Sequence, residues 1–570
     1  MPARWTLRRT AIVALRLGAL ACLASVLVGI STLSIARAQD GSLPSSSSTT
    51  AVGSVPTSGL SAGDVASVLE RGRQLERERR WADALTYYED AIRTHPTHRE
   101  LSDRLALAKA HFDVSRRYSD TSFVTSLSNS KQRETLDTYA EVLSKIQSHY
   151  VQPPQWHDLV RQGTFHWEVA LTEPLFLRKH VPNVSADLIN ACRREVRQIT
   201  DTRAPRSRTE ARDLVAWVAK LAQDRIGLPS SASILEYTCG AMNSLDDYSG
   251  FLTSDQLEDI FSQIEGNFVG LGVELKSDDR GLLIVSVIRG SPADKGGLRG
   301  GEHIVGVDGQ PTTGKSTDAA ADMLKGAEGT TVVVDVMDSN GNTRSVRLHR
   351  ERVDVPSVDE IKMVDAEGGV GYFKLTSFQK TTSRDVDAAL WKLHQQGMRH
   401  LIIDVRGNPG GLLTAAVEVA DKFVGEGLLV MTRGRSANED HDYRANTSGT
   451  WRVPLVVLID GESASASEIF AGAIRDHRRG KIVGTRSYGK GSVQGIFPLT
   501  SSSAGVRLTT AKFYSPSGLE INKRGVSPDV TIRTTAKPVG SEISIAEQGL
   551  DDDATLRAAI QVARESANSP

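Results

Sequence analysis

The sequence predicts a multidomain protein that combines helical, β-rich and α/β parts. Its 570 residues exceed what one hydrophobic core organises and, at about 150 residues per domain, correspond to roughly four domains. Short strands separated by glycine turns occupy residues 266–353, which is typical of a small β domain. After Pro356, continuously apolar strands alternate with helices, which indicates parallel βαβ units buried on both faces.

The composition excludes several classes of protein. Apolar residues make up 39% and charged residues 24% of the chain, which excludes a collagen, a disordered tail protein and a multi-span membrane protein. Residues 1–38 hold five arginines and no acid, and removing them from the 68 basic residues leaves 63 against 69 acidic ones. The remaining body is mildly acidic and gives no reason to expect nucleic-acid binding.

The N-terminus has the pattern of an export signal. Three arginines among the first nine residues precede an apolar run, and Ala36-Arg37-Ala38 fits an A-x-A cleavage site, so a signal peptide is predicted over 1–38. An uncleaved signal anchor is the alternative, because residues 17–36 carry no charge and are long enough to tether the chain to a membrane. Either way we expect an exported protein, periplasmic or anchored facing the periplasm or outside. Residues 39–63 are rich in Ser, Thr, Gly and Pro and predict a flexible linker.

Residues 64–118 show strongly helical periodicity. One stretch is similar to a tetratricopeptide repeat and carries residues of that repeat at its spacings, namely Gly72, Ala84, Tyr88, Ala91 and Pro96. Only one copy is present, although several are normally needed to bury a solenoid core. We therefore predict an interaction module for an adaptor protein or for self-association into an oligomer, with a plain helical hairpin as the alternative.

Residues 131–265 predict a helical cap or arm that packs on the domains after it. Apolar residues recur there at helical spacing, as at Leu136, Tyr139, Leu143 and Ile146. Cys192 and Cys239 lie in this region, and the sequence leaves open whether they pair. The chain has three cysteines, one of them in the predicted signal, which do not make a disulfide framework.

The β-rich region contains the glycine-punctuated stretches GLGVEL at 270–275, LLIVSV at 282–287 and GEHIVGVDG at 301–309, with a helix expected near 318–324. This succession resembles a PDZ domain. The resemblance implies that one loop offers backbone N–H groups to a peptide's C-terminal carboxylate while the adjacent strand takes up the peptide by β-addition. That loop consists of Val269, Gly270, Leu271, Gly272 and Val273. The alternative is that its glycines merely turn a hairpin.

Three loops follow predicted parallel strands, at the strand ends where open α/β sheets place their sites. The first, DVRGNPGG at 404–411, has two adjacent glycines that let the backbone aim N–H groups at an anion; a tight turn is the alternative. The second, GESASASE at 461–468, leads directly into a helix. The unpaired N–H groups at the start of a helix can stabilise negative charge that develops beside a serine of this loop. Ser465-x-x-Glu468 is also a capping box, so helix capping is the alternative there.

The third loop, TRSYGKGSVQ at 485–494, places Lys490 between two glycines directly after a buried strand. A surface lysine is the ordinary interpretation. Inside an apolar cleft, however, desolvation lowers the pKa of a lysine, and the neutral amine can act as a general base toward a hydroxyl.

Together these motifs resemble the carboxyl-terminal processing peptidases, also called tail-specific proteases, of the S41 group. The likeness covers roughly residues 134–565 and includes LDDYS at 245–249, SPSG at 515–518 and GVSPD at 525–529. It implies a crotonase-like α/β protease core with an inserted PDZ domain, a Ser/Lys dyad and cleavage of proteins near their C-termini. In the family the PDZ domain captures apolar tails and can gate the core.

The resemblance also implies roles for individual residues. Ser465 falls on the nucleophile, Lys490 on the general base and Gln494 on the glutamine that orients the lysine. The implied oxyanion hole is formed by the N–H groups of Ala466 and Gly411, and no cofactor is implied. The predicted division of the folded chain is a tetratricopeptide-like segment at 64–118, a helical arm at 131–265, a PDZ domain at 266–353, a protease core at 354–535 and a C-terminal segment at 536–570.

Two other functions compete with proteolysis. A non-catalytic envelope scaffold that binds peptides predicts a missing dyad residue, yet Ser465, Lys490 and Gln494 are all present. An enzyme for acyl thioesters on a crotonase-like core would need neither a PDZ domain nor the lysine. No cluster of His, Cys and acidic residues has metal-ligand spacing and no Walker pattern occurs, so no metal or nucleotide site is predicted.

Overall fold

A computed structural model describes residues 24–25, 62–120, 122–125, 131–314, 323–446, 450–532 and 553–565. Nearly all of the predicted signal, anchor and linker lies outside these ranges. Among the described residues, no helix has the length and apolarity needed to cross a membrane.

The helices of the described part of the chain include fifteen with the following bounds. They are Ala62–Arg77, Trp81–Thr94, Arg99–Ser119, Gln132–His149, Trp156–Ala170, Pro174–His180, Ala186–Thr202, Arg208–Ile226, Ser230–Asn243, Ser254–Glu265, Pro292–Lys295, Thr382–Gln395, Leu413–Asp421, Ala466–Asp476 and Ala554–Glu565.

The first three helices pack on the helical arm. Tyr88 lies against Gly72, where an added Cβ would come within 2.3 Å of its ring, so the glycine permits this close contact. Trp81 stacks on His111 with 3.8 Å between ring centroids, and the buried carboxylate of Glu173 pairs with Arg79 at 3.1 Å. The first two contacts hold the three helices together and the Arg79–Glu173 pair fastens them to the arm, while the tetratricopeptide character of the segment stays a prediction.

The arm itself is a bundle of the helices between residues 132 and 243 with a shared apolar core. Cys192 and Cys239 are both buried in it as free thiols. The pairing that the sequence left open is therefore not formed.

The inserted domain is a β structure whose sheet runs in the order Val273–Asp278, Gly281–Val287, His303–Val307, Thr331–Met337 and Thr343–His349, with Gln310–Pro311 added to the third strand. The strand that enters the domain, Asn267–Gly270, pairs antiparallel with the strand that leaves it, Glu351–Asp354. Both connections to the rest of the protein thus form one two-stranded ribbon. Most of the helix expected near 318–324 lies outside the described residues.

Two sheets form the core that follows. The six-stranded sheet has the order Val358–Asp365, Val370–Leu375, His400–Asp404, Leu455–Ile459, Gly480–Gly484 and Val530–Thr531, and all but the first strand run parallel. The second sheet has the order His441–Arg444, Leu428–Gly434, Gly505–Tyr514 and Ser492–Pro498, with Gly250–Leu252 paired to the third strand. A separate pair joins Ala24–Ser25 to Gly411–Leu412.

The elements of the α/β core agree with the apolar patterns of the sequence. The apolar pattern predicts helices over 383–397, 415–424 and 467–478. The observed helices begin and end within three residues of those bounds, at Thr382–Gln395, Leu413–Asp421 and Ala466–Asp476. They pack with the sheets around one large apolar core. On the other face of the parallel sheet, the Ala554–Glu565 helix covers apolar residues such as Ile402 and Val456.

Candidate active site

The three loops predicted from the sequence meet at one edge of the parallel sheet. Their preceding strands are direct neighbours in parallel register, so their carboxyl ends lie side by side. Hydrogen bonds then join the loops: the Ala464 N–H donates to the Asn408 carbonyl at 3.1 Å and the Tyr488 N–H to the Ser463 carbonyl at 3.0 Å. The topology therefore builds one site from segments 404–411, 461–468 and 485–491.

Ser465 occupies a strained position at the start of the Ala466–Asp476 helix. Its φ of 56° and ψ of −112° are unusual for a residue with a Cβ, and such strain clusters at functional sites. The side chain is fully buried, and its Oγ has no hydrogen-bond partner among the described residues. Glu468 accepts the Ser465 N–H, which is one half of the predicted capping box, while the Ser465 hydroxyl stays without a partner in the described chain.

The flanking serines fix the loops to each other. Ser463 Oγ donates to the Val405 carbonyl at 2.8 Å, and Ser467 Oγ donates to the Asn408 carbonyl at 2.9 Å. Of the three serines, Ser465 is thus the one whose hydroxyl remains available for chemistry.

Lys490 is enclosed, with only 1% of its surface exposed. Burial, and secondarily the positive charge of Arg507, lowers the pKa of the Lys490 amine to about 7. The Tyr248 ring centroid lies 5.0 Å from Nζ. A surface lysine, the ordinary interpretation of this residue, is therefore excluded, and a large part of the amine is neutral near pH 7.

Glu468 connects the serine to the lysine loop. Its Oε2 accepts the N–H groups of Ser465 and Lys490, each at 2.9 Å, and its Oε1 accepts the Gly489 N–H at 2.7 Å and the Ser487 hydroxyl at 2.6 Å. Burial raises the pKa of this carboxyl and the four donors oppose that rise. Sequence reasoning noticed Glu468 only as part of a capping box and missed its role as a link between loops.

The residues of the predicted oxyanion hole, Ala466 and Gly411, lie in the backbone beside Ser465. Ala466 is the first residue of its helix, so its N–H lies outside the helical hydrogen-bond ladder. A Cβ on Gly410 would lie 2.8 Å from Ser465 Cβ and 2.9 Å from Ala466 N, which places the double glycine directly against the serine. At Gly411, where φ is 137°, a Cβ would lie 2.1 Å from the Phe378 carbonyl oxygen. Only glycine fits either position.

Gln494 is fully buried in the strand that follows the lysine loop. Its Nε2 donates to Ser492 Oγ at 2.9 Å and to Thr509 Oγ1 at 3.3 Å, while its Oε1 has no partner among the described residues. Within those residues no hydrogen bond joins Ser465, Lys490 and Gln494 to one another. The orienting role of Gln494 stays a prediction.

Tyr248 and Arg507 also belong to the site, and sequence reasoning missed both. Arg507 Nε donates to the Tyr248 carbonyl at 2.7 Å, and the Asp246 carboxylate accepts the N–H groups of Tyr248 and Ser249 at 2.9 and 2.7 Å. The motif at 245–249 was visible in the sequence, but its contact with Lys490 spans more than 240 positions and has no local signal.

The predicted PDZ loop lies in the inserted domain and lines a groove there, away from the three loops. Leu271 and Gly272 accept backbone hydrogen bonds from Ala293 and Ile288 through their carbonyls. Among the described residues, the N–H groups of Leu271 and Gly272 donate to no backbone carbonyl. Within the described ranges these two N–H groups thus have no backbone acceptor, which is compatible with the predicted carboxylate binding.

A buried serine whose hydroxyl has no partner in the described chain, a buried lysine of lowered pKa and a helix N-terminus beside them define a serine hydrolase site. Comparison with known proteins agrees: residues 369–532 match peptidase family S41 and residues 283–337 match the PDZ domain. The carboxy-terminal-processing protease of Bartonella bacilliformis is 35% identical over 337 residues, covering 57% of this chain and 76% of that protein. The chain belongs to peptidase family S41 and is a serine peptidase of the carboxy-terminal-processing kind.

Further relatives match at lower sequence identity. A probable CtpA-like serine protease of Staphylococcus aureus is 33% identical over 291 residues, covering 51% of this chain and 58% of that protein. A solved photosystem II D1 C-terminal processing protease is 25% identical, with a TM-score of 0.37 and coverage of 76% of this chain and 98% of that one. Membership in a peptidase family rules against both the non-catalytic scaffold and the acyl-thioester enzyme.

Proposed function

We propose that the protein cleaves exported proteins near their C-termini, with Ser465 as the nucleophile and Lys490 as the general base. The observation that carries this proposal is the buried Lys490 amine, whose pKa of about 7 makes it a competent base at neutral pH. The Glu468 carboxylate supports it further, since it binds the N–H groups of both residues and so holds the nucleophile and the base on one rigid frame.

In the proposed reaction the neutral Lys490 amine takes the proton of the Ser465 hydroxyl while Oγ attacks the scissile carbonyl carbon. The carbonyl oxygen becomes an oxyanion, which the N–H groups of Ala466 and Gly411 stabilise. Lys490 then gives its proton to the leaving amine as the peptide bond breaks. A water, deprotonated by the same lysine, hydrolyses the acyl-enzyme and restores Ser465.

The inserted PDZ domain is proposed to recognise apolar substrate tails and to gate the core. The free N–H groups of Leu271 and Gly272 and the adjacent edge strand Val273–Asp278 support tail binding by β-addition. The paired ribbon formed by Asn267–Gly270 and Glu351–Asp354 supports movement of the domain as a unit about one connection.

The setting of the reaction is proposed from the sequence. The export pattern of residues 1–38 supports a periplasmic or membrane-anchored enzyme, tethered through residues 17–36 if the signal is retained. Residues 64–118 are proposed to receive an adaptor or a second copy of the chain.

Activity is expected to rise with pH around neutrality, because the base must be neutral. With a Lys490 pKa of about 7, kcat/KM should increase through pH 7 and level off above about pH 8. Replacing Arg507 by Gln removes a nearby positive charge, so the pKa of Lys490 should rise and the midpoint of the profile should move to higher pH. Initial rates on a quenched peptide between pH 5.5 and 9.5 measure both midpoints. A flat profile would contradict Lys490 as the base.

The function itself is tested with a folded reporter that carries either an apolar or a charged C-terminal tail. The protein is expected to cut the apolar-tailed reporter at least about tenfold faster, equivalent to about 1.4 kcal/mol of discrimination. A variant lacking residues 267–354 is feasible because the Val355 N–H already donates to the Gly266 carbonyl at 2.8 Å. This variant should lose the discrimination between tails. If its cleavage and tail preference are unchanged, the PDZ domain does not recognise substrate.

A further inference from the structure

A groove of about 850 Å³ lies between the inserted domain and the Ser254–Glu265 helix. On the side of the inserted domain, its lining includes the apolar side chains of Leu271, Leu275 and Leu324. The exposed edge strand Val273–Asp278 borders the same space. One side of the groove thus offers an apolar surface and an edge strand, the two features that bind an extended peptide with an apolar C-terminus.

The opposite wall has a different chemistry. The Ser254–Glu265 helix buries Leu257, Ile260 and Ile264 in the protein. Its acidic residues Asp255, Glu258 and Asp259 are three and four positions apart, which places them on one helical face. All three line the groove. The amphipathic pattern of this helix therefore presents a row of carboxylates to whatever occupies the groove.

These carboxylates are only partly neutralised. Asp259 pairs with Lys325 at 3.9 Å, whereas Asp255 and Glu258 form no ion pair with any residue that the structure describes. A further acceptor, Gln379, lines the groove at the point where the inserted domain joins the core. Only 7% of Gln379 is exposed, and its Oε1 has no hydrogen-bond partner in the described chain.

A buried acceptor without a donor is costly unless a ligand supplies one. Carboxylates that face an open groove attract cationic groups and repel anionic ones. Such charges affect the selectivity among peptides more than the affinity for the best peptide. The wall and Gln379 therefore both favour a ligand that brings N–H donors and positive charge.

We propose that the groove selects substrate tails that carry lysine or arginine shortly before their apolar C-terminal residues. This inference rests on the proposed tail recognition and adds a charge requirement to it. The apolar end lies against Leu271 and Leu324, the terminal carboxylate binds the Leu271 and Gly272 N–H groups, and the basic side chains face Asp255 and Glu258. Tails with acidic residues at those positions are disfavoured.

The test is fluorescence polarisation with the full chain carrying Ser465→Ala, so that bound peptides are not cut. Three labelled peptides share the same apolar last three residues and carry Lys, Gln or Glu at the three preceding positions. At low ionic strength the Lys peptide should bind about 2–10-fold more tightly than the Gln peptide, as expected for two exposed ion pairs, and the Glu peptide more weakly than either. These differences should shrink in 0.5 M NaCl because salt screens exposed charges.

The variant Asp255→Asn/Glu258→Gln should bind all three peptides with nearly equal affinity. Asp279→Asn, which removes an exposed acid of the inserted domain outside the groove, is the matched control and should keep the order of affinities. Two results would overturn the charge requirement alone. One is equal affinity for the three peptides when Asp255 and Glu258 are unchanged; the other is an unchanged order of affinities in the double variant. If none of the peptides binds, the proposed tail recognition itself fails, and the charge requirement with it.

Discussion

Replacing Lys490 by Met is expected to reduce cleavage by at least about 10⁴-fold, because residues that act as one catalytic unit lose nearly all turnover when either is removed. Methionine has a similar length and no charge, so it suits a side chain that is only 1% exposed. Ser465→Ala should cause a loss of the same size, and the double variant should be no worse than either single one. The measurement is the initial rate of cleavage of an apolar-tailed reporter.

Matched controls separate loss of chemistry from loss of structure. Lys481→Met changes an exposed lysine in the neighbouring strand Gly480–Gly484, and Ser503→Ala changes an exposed serine; both should retain activity. Circular dichroism and thermal melting should show folded protein for every variant. Substantial cleavage by folded Lys490→Met protein would refute the lysine as general base.

Replacing Glu468 by Leu is expected to damage both stability and catalysis. The change leaves the N–H groups of Ser465, Gly489 and Lys490 and the Ser487 hydroxyl without their acceptor. Since each buried unsatisfied donor costs about 1–3 kcal/mol, the free energy of unfolding should fall by at least about 3 kcal/mol. Even at temperatures where the variant is folded, kcat/KM should fall by about 10²-fold or more, because small misplacements of catalytic groups have effects of that size.

Two further variants make this result interpretable. Glu468→Gln keeps one acceptor oxygen and should show a smaller loss of stability than the leucine variant. Glu462→Gln alters an exposed carboxylate in the same loop and should behave like the unmodified protein in urea unfolding and in cleavage assays. Normal activity of Glu468→Leu would show that the shared carboxylate does not position the serine and lysine.

The dyad candidates were accessible from the sequence because the motifs that carry the family resemblance are local. The resemblance places the nucleophile on Ser465 among three neighbouring serines, and it places the base on Lys490, which two glycines flank after a buried strand. The capping box predicted at Ser465 and Glu468 is present in the bond from the Ser465 N–H to the Glu468 carboxylate, whereas the Ser465 hydroxyl has no partner in the described chain. Local pattern could identify that half of the capping box but could not show that the same carboxylate also accepts donors from a loop about 20 residues away.

By itself, the sequence determined the division of the chain into helical, β-rich and α/β parts and the succession of strands and helices along the α/β part. It also determined the family. These results were accessible because periodicity and motif spacing are properties of neighbouring residues. Only the tertiary structure decided the protonation state of the Lys490 amine, because its pKa depends on burial and on the charge of Arg507. It also decided the packing of Tyr248 on that lysine and the acidic wall that faces the PDZ groove. The physical reason is the same in each case: desolvation, charge proximity and grooves between domains arise from contacts between residues far apart in the chain.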